Sequence, residues 1–205
     1  MKINVERDPW DTKKLLFRKS ELELEPGITC LVGRNGSGKS TLLMEIEEHC
    51  RVNKIPFYKY DNFHEGGSHA LSEYSFLGDF SALATNFMSS EGQRIVYDFV
   101  RKIKGIVAKI KENKSKQAVI SLDALDSGLD LYNLRDINRL LRIILDELKD
   151  KEIYFVLACN SFELVRDNEC IYPKTFKKMK FHTYEEYHKF IVVDCEPKKR
   201  GKKDE

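Results

Sequence analysis

The 205-residue sequence has no apolar run long enough to cross a bilayer, no C-x-x-C pair and no recurring segment. A membrane-spanning helix needs about 20 consecutive apolar residues, and a secretory leader needs an apolar stretch where Lys2 to Arg7 is polar. Both gaps point to a protein working off the membrane, in the cytoplasm. The five cysteines, Cys30, Cys50, Cys159, Cys170 and Cys195, are unpaired in spacing, and three of them fall in apolar stretches. Reduced, structural thiols follow from that pattern. The five histidines include no H-E-x-x-H or H-x₃-H spacing, and His64 and His69, flanking Gly66-Gly67, are too few to hold zinc. Charge of one sign is also missing: 35 Lys and Arg oppose 33 Asp and Glu, leaving +2. The body therefore has no global field that demands a polyanion. No Gly- or Pro-rich linker divides the chain, so residues 1–195 are expected to form a single domain. Residues 196–205 are expected to be a flexible basic tail, with Lys198-Lys199-Arg200-Gly201-Lys202-Lys203 at its centre.

What is present is an alternation of strands and helices. Lys2 to Val5 and Glu21 to Leu24 alternate polar with apolar, as half-exposed strands do. Pro26-Gly27 makes a turn, and Ile28 to Val32 reads as a buried strand. A helix is expected to about Arg51, a strand over Ile55 to Tyr60, and irregular chain from Asp61 to His69. Helical patterning returns over Phe80 to Phe87. A long helix opens near Gln93, with Ile95, Val96, Phe99, Val100, Ile103, Ile106, Val107 and Ile110 on its apolar positions. Gln117 to Leu122 and Ile153 to Ala158 are buried strands, with an amphipathic helix over Ile137 to Leu148 between them. Lys178 to Val193 reads as a hairpin or as a strand and helix. Strands separated by helices imply an α/β fold, a mostly parallel sheet covered on both faces, with an N-terminal antiparallel side sheet.

Between the first buried strand and its helix lies Gly33-Arg34-Asn35-Gly36-Ser37-Gly38-Lys39-Ser40-Thr41. It contains G-x-x-x-x-G-K-[ST], the phosphate-cradling P-loop, in the strand–loop–helix setting the motif requires. Glycines let successive N–H groups point inward as an anion nest, and the helix N-terminus adds its dipole. Lys39 is expected at the β- and γ-phosphates of ATP, and the Ser40 hydroxyl on Mg²⁺.

Ala118 to Asp123 is an apolar strand ending in a carboxylate, the Walker B arrangement that brings Asp123 to Mg²⁺ beside the P-loop. The stretch Asp123-Ala124-Leu125-Asp126-Ser127-Gly128-Leu129-Asp130 resembles D-E-P-x-S-G-L-D of ABC-type ATPases. It is also similar to D-E-x-D-x-x-L-D of structural-maintenance-of-chromosomes proteins. Ser89-Ser90-Glu91-Gly92-Gln93 stands where that family carries L-S-G-G-Q, at the start of a helix. Order and spacing agree over roughly residues 1 to 165. The resemblance implies a P-loop NTPase fold of ABC type with a small helical insertion, about residues 61–112. It also implies a head-to-tail homodimer in which Ser90 and Gly92 of one subunit meet the γ-phosphate held by the other.

Three positions depart from the family pattern, all in the hydrolysis machinery. Ala124 occupies the place of the water-polarising Glu, and general-base assistance is typically worth about 10²–10⁴-fold, so turnover is expected to be slow. Asp126 is the nearest substitute base, or else a cap on its loop. The switch position after Ala158, usually His, reads Cys159-Asn160, and Asn160 donates a hydrogen bond but takes no proton at neutral pH. No Gln lies between the P-loop and Gln93, leaving Asp61 or Asn62 as the replacement contact to Mg²⁺ or water. Trp10 and Phe17 are the aromatics available to stack on adenine.

Three functions fit: a slow ATPase acting on DNA or an effector protein, like the compact stand-alone ATPases of repair, chromosome maintenance and phages; a switch that binds ATP without hydrolysing it; and the engine of a transporter. The short segment from Lys39 to Ser90 disfavours the last. For DNA, the tail and Lys102, Lys104, Lys109, Lys111, Lys114 and Lys116 supply positive charge, which a solvated helix face explains equally well.

Overall fold

The computed structural model describes residues 1–10, 15–62 and 91–195. The helical stretch expected over Phe80 to Phe87, Ser90, His64, His69 and the tail from residue 196 lie outside them.

Two strands, β1 (Lys2–Asn4) and β2 (Glu21–Glu23), pair antiparallel, Ile3 opposite Leu22, to form the expected side sheet. Among the described residues the main sheet has six strands: β3 (Gly27–Leu31), β4 (Phe57–Asp61), β5 (Gln117–Asp123), β6 (Glu152–Ala158), β7 (Glu169–Tyr172) and β8 (Lys177–Met179). Their spatial order is β4-β5-β6-β3-β7-β8. All neighbours are parallel except β7 and β8. Helix α1 (Lys39–Val52) follows β3, α2 (Glu91–Glu112) precedes β5, and α3 (Leu131–Glu147) joins β5 to β6. Two short helices, α4 (Phe162–Val165) and α5 (Tyr184–Lys189), flank the last strands. α5 ends in a π-turn, Phe190–Asp194, closed by the Cys195 N–H on the Phe190 carbonyl at 3.0 Å.

The central strands are apolar on both sides because helices cover both sides. On β5, Ala118, Ile120 and Leu122 join the core beneath α2 and α3, while Val119 faces the core around α1 and the side sheet. β6 divides likewise, with Phe155 and Leu157 on the first face and Tyr154 and Val156 on the second. A one-residue slip would exchange these faces, which pins the register.

The structure departs from the expected boundaries where tertiary contacts override local pattern. β4 begins at Phe57, and the carbonyl of Pro56 accepts from Val119 N–H. α3 begins at Leu131, six residues before the expected Ile137, because Asp130 caps it: its side chain accepts the Asn133 N–H at 2.8 Å. That first turn is apolar yet exposed at Leu131 and Tyr132, so it carries no amphipathic signal. β7 was not expected; it is short, and Cys170 and Ile171 are buried only because β3 runs beside them. The Lys178 to Val193 stretch resolves as the strand-and-helix alternative.

Candidate nucleotide site

The parallel strands deliver their C-terminal ends to one edge of the sheet, where open α/β sheets bind ligands. Asp123 closes β5 in register with Asp61 of β4 and Ala158 of β6. The loop after β3 turns under that edge, with Ser37 N–H on the Arg34 carbonyl at 3.0 Å. Glycine is required at two positions. Gly38, which starts α1, has φ +92°, and a Cβ there would stand 3.2 Å from the Phe17 ring. At Gly33 (φ +147°) it would lie 2.8 Å from the Ser37 hydroxyl.

A cavity of about 470 Å³ opens over the loop, lined by Asn35, Gly36, Gly38, Lys39, Ser40, Thr41, Asp123, Ala124, Asp126, Ala158 and Asn160. Three separate stretches of the chain, 35–41, 123–126 and 158–160, thus meet at one mouth. Arg34 and Gly33 line an adjoining groove of about 760 Å³ with Asn35, Asn160, Phe162 and Tyr184. The Lys39 ammonium turns back on the Gly33 carbonyl at 2.7 Å. Burial lowers its pKa, while nearby groups, Asp126 and Asp123 among them, act in the opposite direction. The Ser37 hydroxyl is buried without a hydrogen-bond partner among the described residues. An orphaned buried hydroxyl beside two glycine-only positions and a cation fits an anion cradle.

Asp126 and Asn160, 34 residues apart, meet: the Asn160 N–H donates to Asp126 Oδ2 at 2.6 Å. The Asn160 carbonyl in turn accepts the Tyr187 hydroxyl at 2.8 Å. Ala124 takes φ +51°, a left-handed conformation uncommon for any residue with a Cβ. Behind it, Asn62 Nδ2 donates to Ser127 O at 2.7 Å and Ala124 O at 3.3 Å, and Tyr60 donates to Asn62 Oδ1 at 3.3 Å. Asn62 is buried and its amide holds the loop that carries Asp126. The expected direct contact of Asn62 with Mg²⁺ or water is therefore corrected to a structural one, and Asp61 is not among the cavity's lining residues.

Gly92, in the first turn of α2, lies outside the cavity. A Cβ there would meet Asn133 Nδ2 and Gly128 O at 3.6 Å, ordinary contact. Phe17 is fully buried on Phe176, centroids 5.6 Å apart, and has no face for a base. Trp10 is more than half exposed and shares a recess of about 380 Å³ with Leu15, Leu16, Arg18 and Gly36. Tyr187 was missed by sequence reasoning: it sits in α5, far along the chain, and no spacing ties it to the P-loop. Among the described residues no helix is long and apolar enough to cross a membrane. No cluster of three or more His, Cys, Asp or Glu there is arranged to hold a metal by itself.

A family model described as an AAA domain matches residues 15–187. Among solved structures, the chain is similar to cbiO1 from Clostridium perfringens, described as part of the ABC transporter complex cbiONQ. That match has 17% identity and a TM-score of 0.52, covering 86% of each chain. It is also similar to a nucleotide-free ATP-binding cassette from an ABC transporter. There the identity is 13% and the TM-score 0.50, over 94% of this chain and 95% of the other. These likenesses show the ABC-type P-loop fold. No curated protein matches the sequence.

Proposed function

The chain belongs to the AAA domain family, and on that premise we propose that it binds Mg-ATP, closes head to tail with a second copy, and hydrolyses ATP slowly. One observation carries the proposal: Lys39, Ser40, Thr41, Asp123, Asp126 and Asn160 line a single cavity.

The residues present suit the ligand. The amides of Gly36 to Lys39 and the Lys39 ammonium take the phosphates, with the buried Ser37 hydroxyl beneath them. Ser40 and Asp123 are the protein groups for Mg²⁺, an ion held by one or two protein oxygens plus substrate phosphates rather than by a complete protein cage. When bound, Mg²⁺ neutralises charge on the β- and γ-phosphates. Asp126 faces the cavity with one oxygen held by the Asn160 N–H, which leaves Oδ1 to orient or deprotonate water. Asn160 donates without exchanging a proton. Trp10 is the aromatic available to the base. Ser90 and Gly92 serve the partner's γ-phosphate through the α2 N-terminus, the helix-end anion site used between subunits.

Lys39→Ala should weaken Mg-ATP binding at least about tenfold, the cost of one charge-assisted contact. Equilibrium titration with a fluorescent ATP analogue measures it, and equal affinity in both proteins would remove this reading.

A second reading, a switch that binds ATP and barely hydrolyses it, is favoured by Ala124, which offers no base. Steady-state phosphate release separates the two, because Asp126→Ala abolishes turnover in the first and has none to abolish in the second. As effector we favour a polyanion such as DNA, since Lys102, Lys104 and Lys109 are exposed along α2 and Lys114 and Lys116 follow it. Lys111 there pairs with Glu147. Binding that weakens steeply with salt and on removal of residues 198–205 supports this, and no binding at low salt refutes it. The resemblance to chromosome-maintenance and phage ATPases belongs to the same proposal.

A further inference from the structure

The cavity is tied to a segment near the far end of the chain by two hydrogen bonds that converge on the backbone of one residue, Asn160. Asp126 Oδ2 accepts from the Asn160 N–H at 2.6 Å, and the carbonyl of the same residue accepts from the Tyr187 hydroxyl at 2.8 Å. Both contacts load one residue, its N–H on one side of Cα and its carbonyl on the other, so a shift of either partner turns the same stretch of backbone. Tyr187 is itself fixed. It is buried, its ring packs on Phe181 at 5.4 Å and on Phe162 at 6.0 Å, and burial raises its pKa, keeping the hydroxyl a donor. The helix that carries it is short and is held at its start by a capping box between Thr183 and Glu186. It then passes into a π-turn, a distortion frequent at functional sites. Tyr184, Val192 and Val193 on this segment are exposed. The segment also walls the groove that begins at Gly33 and Arg34.

We infer that Tyr187 is a positioning residue: it sets the Asn160 backbone, and through it the Asp126 carboxylate, and so makes the segment 184–195 respond to what occupies the cavity. The inference rests on the reading of that cavity as an ATP site. A ligand that engages Asn160 or Asp126 then restrains α5, and whatever contacts α5 acts back on the site with equal coupling.

The test is hydrogen exchange with and without Mg²⁺ and a non-hydrolysable ATP analogue, read in peptides covering the P-loop, 158–165 and 184–195. In the wild type the analogue should slow exchange in all three. In Tyr187→Phe, which keeps the ring packing, the P-loop should still be protected. The ligand effect on 184–195 should fall about tenfold, the equivalent of one net hydrogen bond. Asp126→Ala, which cuts the link at its other end, should give the same loss, and Tyr184→Phe should not. Where turnover is measurable, Tyr187→Phe should lower kcat about tenfold at unchanged KM, a split that loose folding does not produce. Undiminished protection of 184–195 in Tyr187→Phe, or none in the wild type although the P-loop is protected, overturns the inference while leaving the ATP site intact. Absence of P-loop protection in the wild type overturns the ATP site itself.

Discussion

Replacing Asn62 by Ala should destabilise the protein by about 2 kcal/mol, given about 1–3 kcal/mol for each buried polar group left unpaired. The substitution removes one hydrogen bond of 2.7 Å to Ser127 O and two of 3.3 Å, to Ala124 O and from Tyr60 Oη. Two carbonyls orphaned in a dry interior would cost above that. Two features reduce it: the longer contacts are near the limit of hydrogen bonding, and Ala124 and Ser127 are only half-buried, so water reaches their carbonyls. Asn62→Asp is the sharper control. It keeps the shape, removes the donor and sets a carboxylate against two carbonyl oxygens, so its cost should exceed that of Asn62→Ala. Equilibrium urea unfolding followed by far-UV circular dichroism measures both. The loop that carries Asp126 then loses its brace from Asn62, and turnover should drop more than nucleotide affinity. A destabilisation below about 0.5 kcal/mol, the scale of an ordinary surface change, would show that the loop does not depend on this amide.

Other expectations follow from single positions. Ala124→Gly should raise stability by up to about 1 kcal/mol in urea unfolding, because the native φ of +51° costs a residue with a Cβ and not glycine. Gly92→Ala should leave the monomer at least as stable, since a Cβ there makes only ordinary contacts, yet abolish ATP-dependent dimerisation in light scattering. An unchanged dimer would exclude Gly92 from the intersubunit contact. The Cys50 thiol is pushed up to about 12 by burial. Its folded-state value is raised, so the stability it contributes is complete below about pH 9, the ordinary thiol value, and is lost as pH rises toward 12. Thiol titration should find it unreactive in the folded protein at pH 8. Glu186, lowered by the N–H groups of His182 and Thr183, acts oppositely: its contribution is present above the ordinary carboxylate range and lost as pH falls through its depressed value. Acid should therefore loosen α5, and in Glu186→Gln the protection factors of 184–195, corrected for the intrinsic pH dependence of exchange, should be flat across that range.

Local chemistry wrote much of this protein directly into its sequence. The P-loop could be read because a nest of N–H groups at a helix start needs glycines, lysine and a hydroxyl at fixed spacing. The strands ending at Asp123 and Ala158 could be read because chain buried on two faces must be apolar throughout. The N-terminal side sheet followed from simple alternation. Tertiary structure alone decided the rest. Only it brought Asp126 and Asn160 together, turned Asn62 from a candidate ligand into a brace for the loop, and buried Phe17 so that Trp10 remains the aromatic beside the recess. It alone paired β7 with β3 and carried Tyr187 to the Asn160 carbonyl. Each of these joins residues 27 or more positions apart through one or two directional bonds, a ring contact or a strand ladder. Such contacts have no period and no local composition, so they exist only once the sheet has fixed where its edges meet.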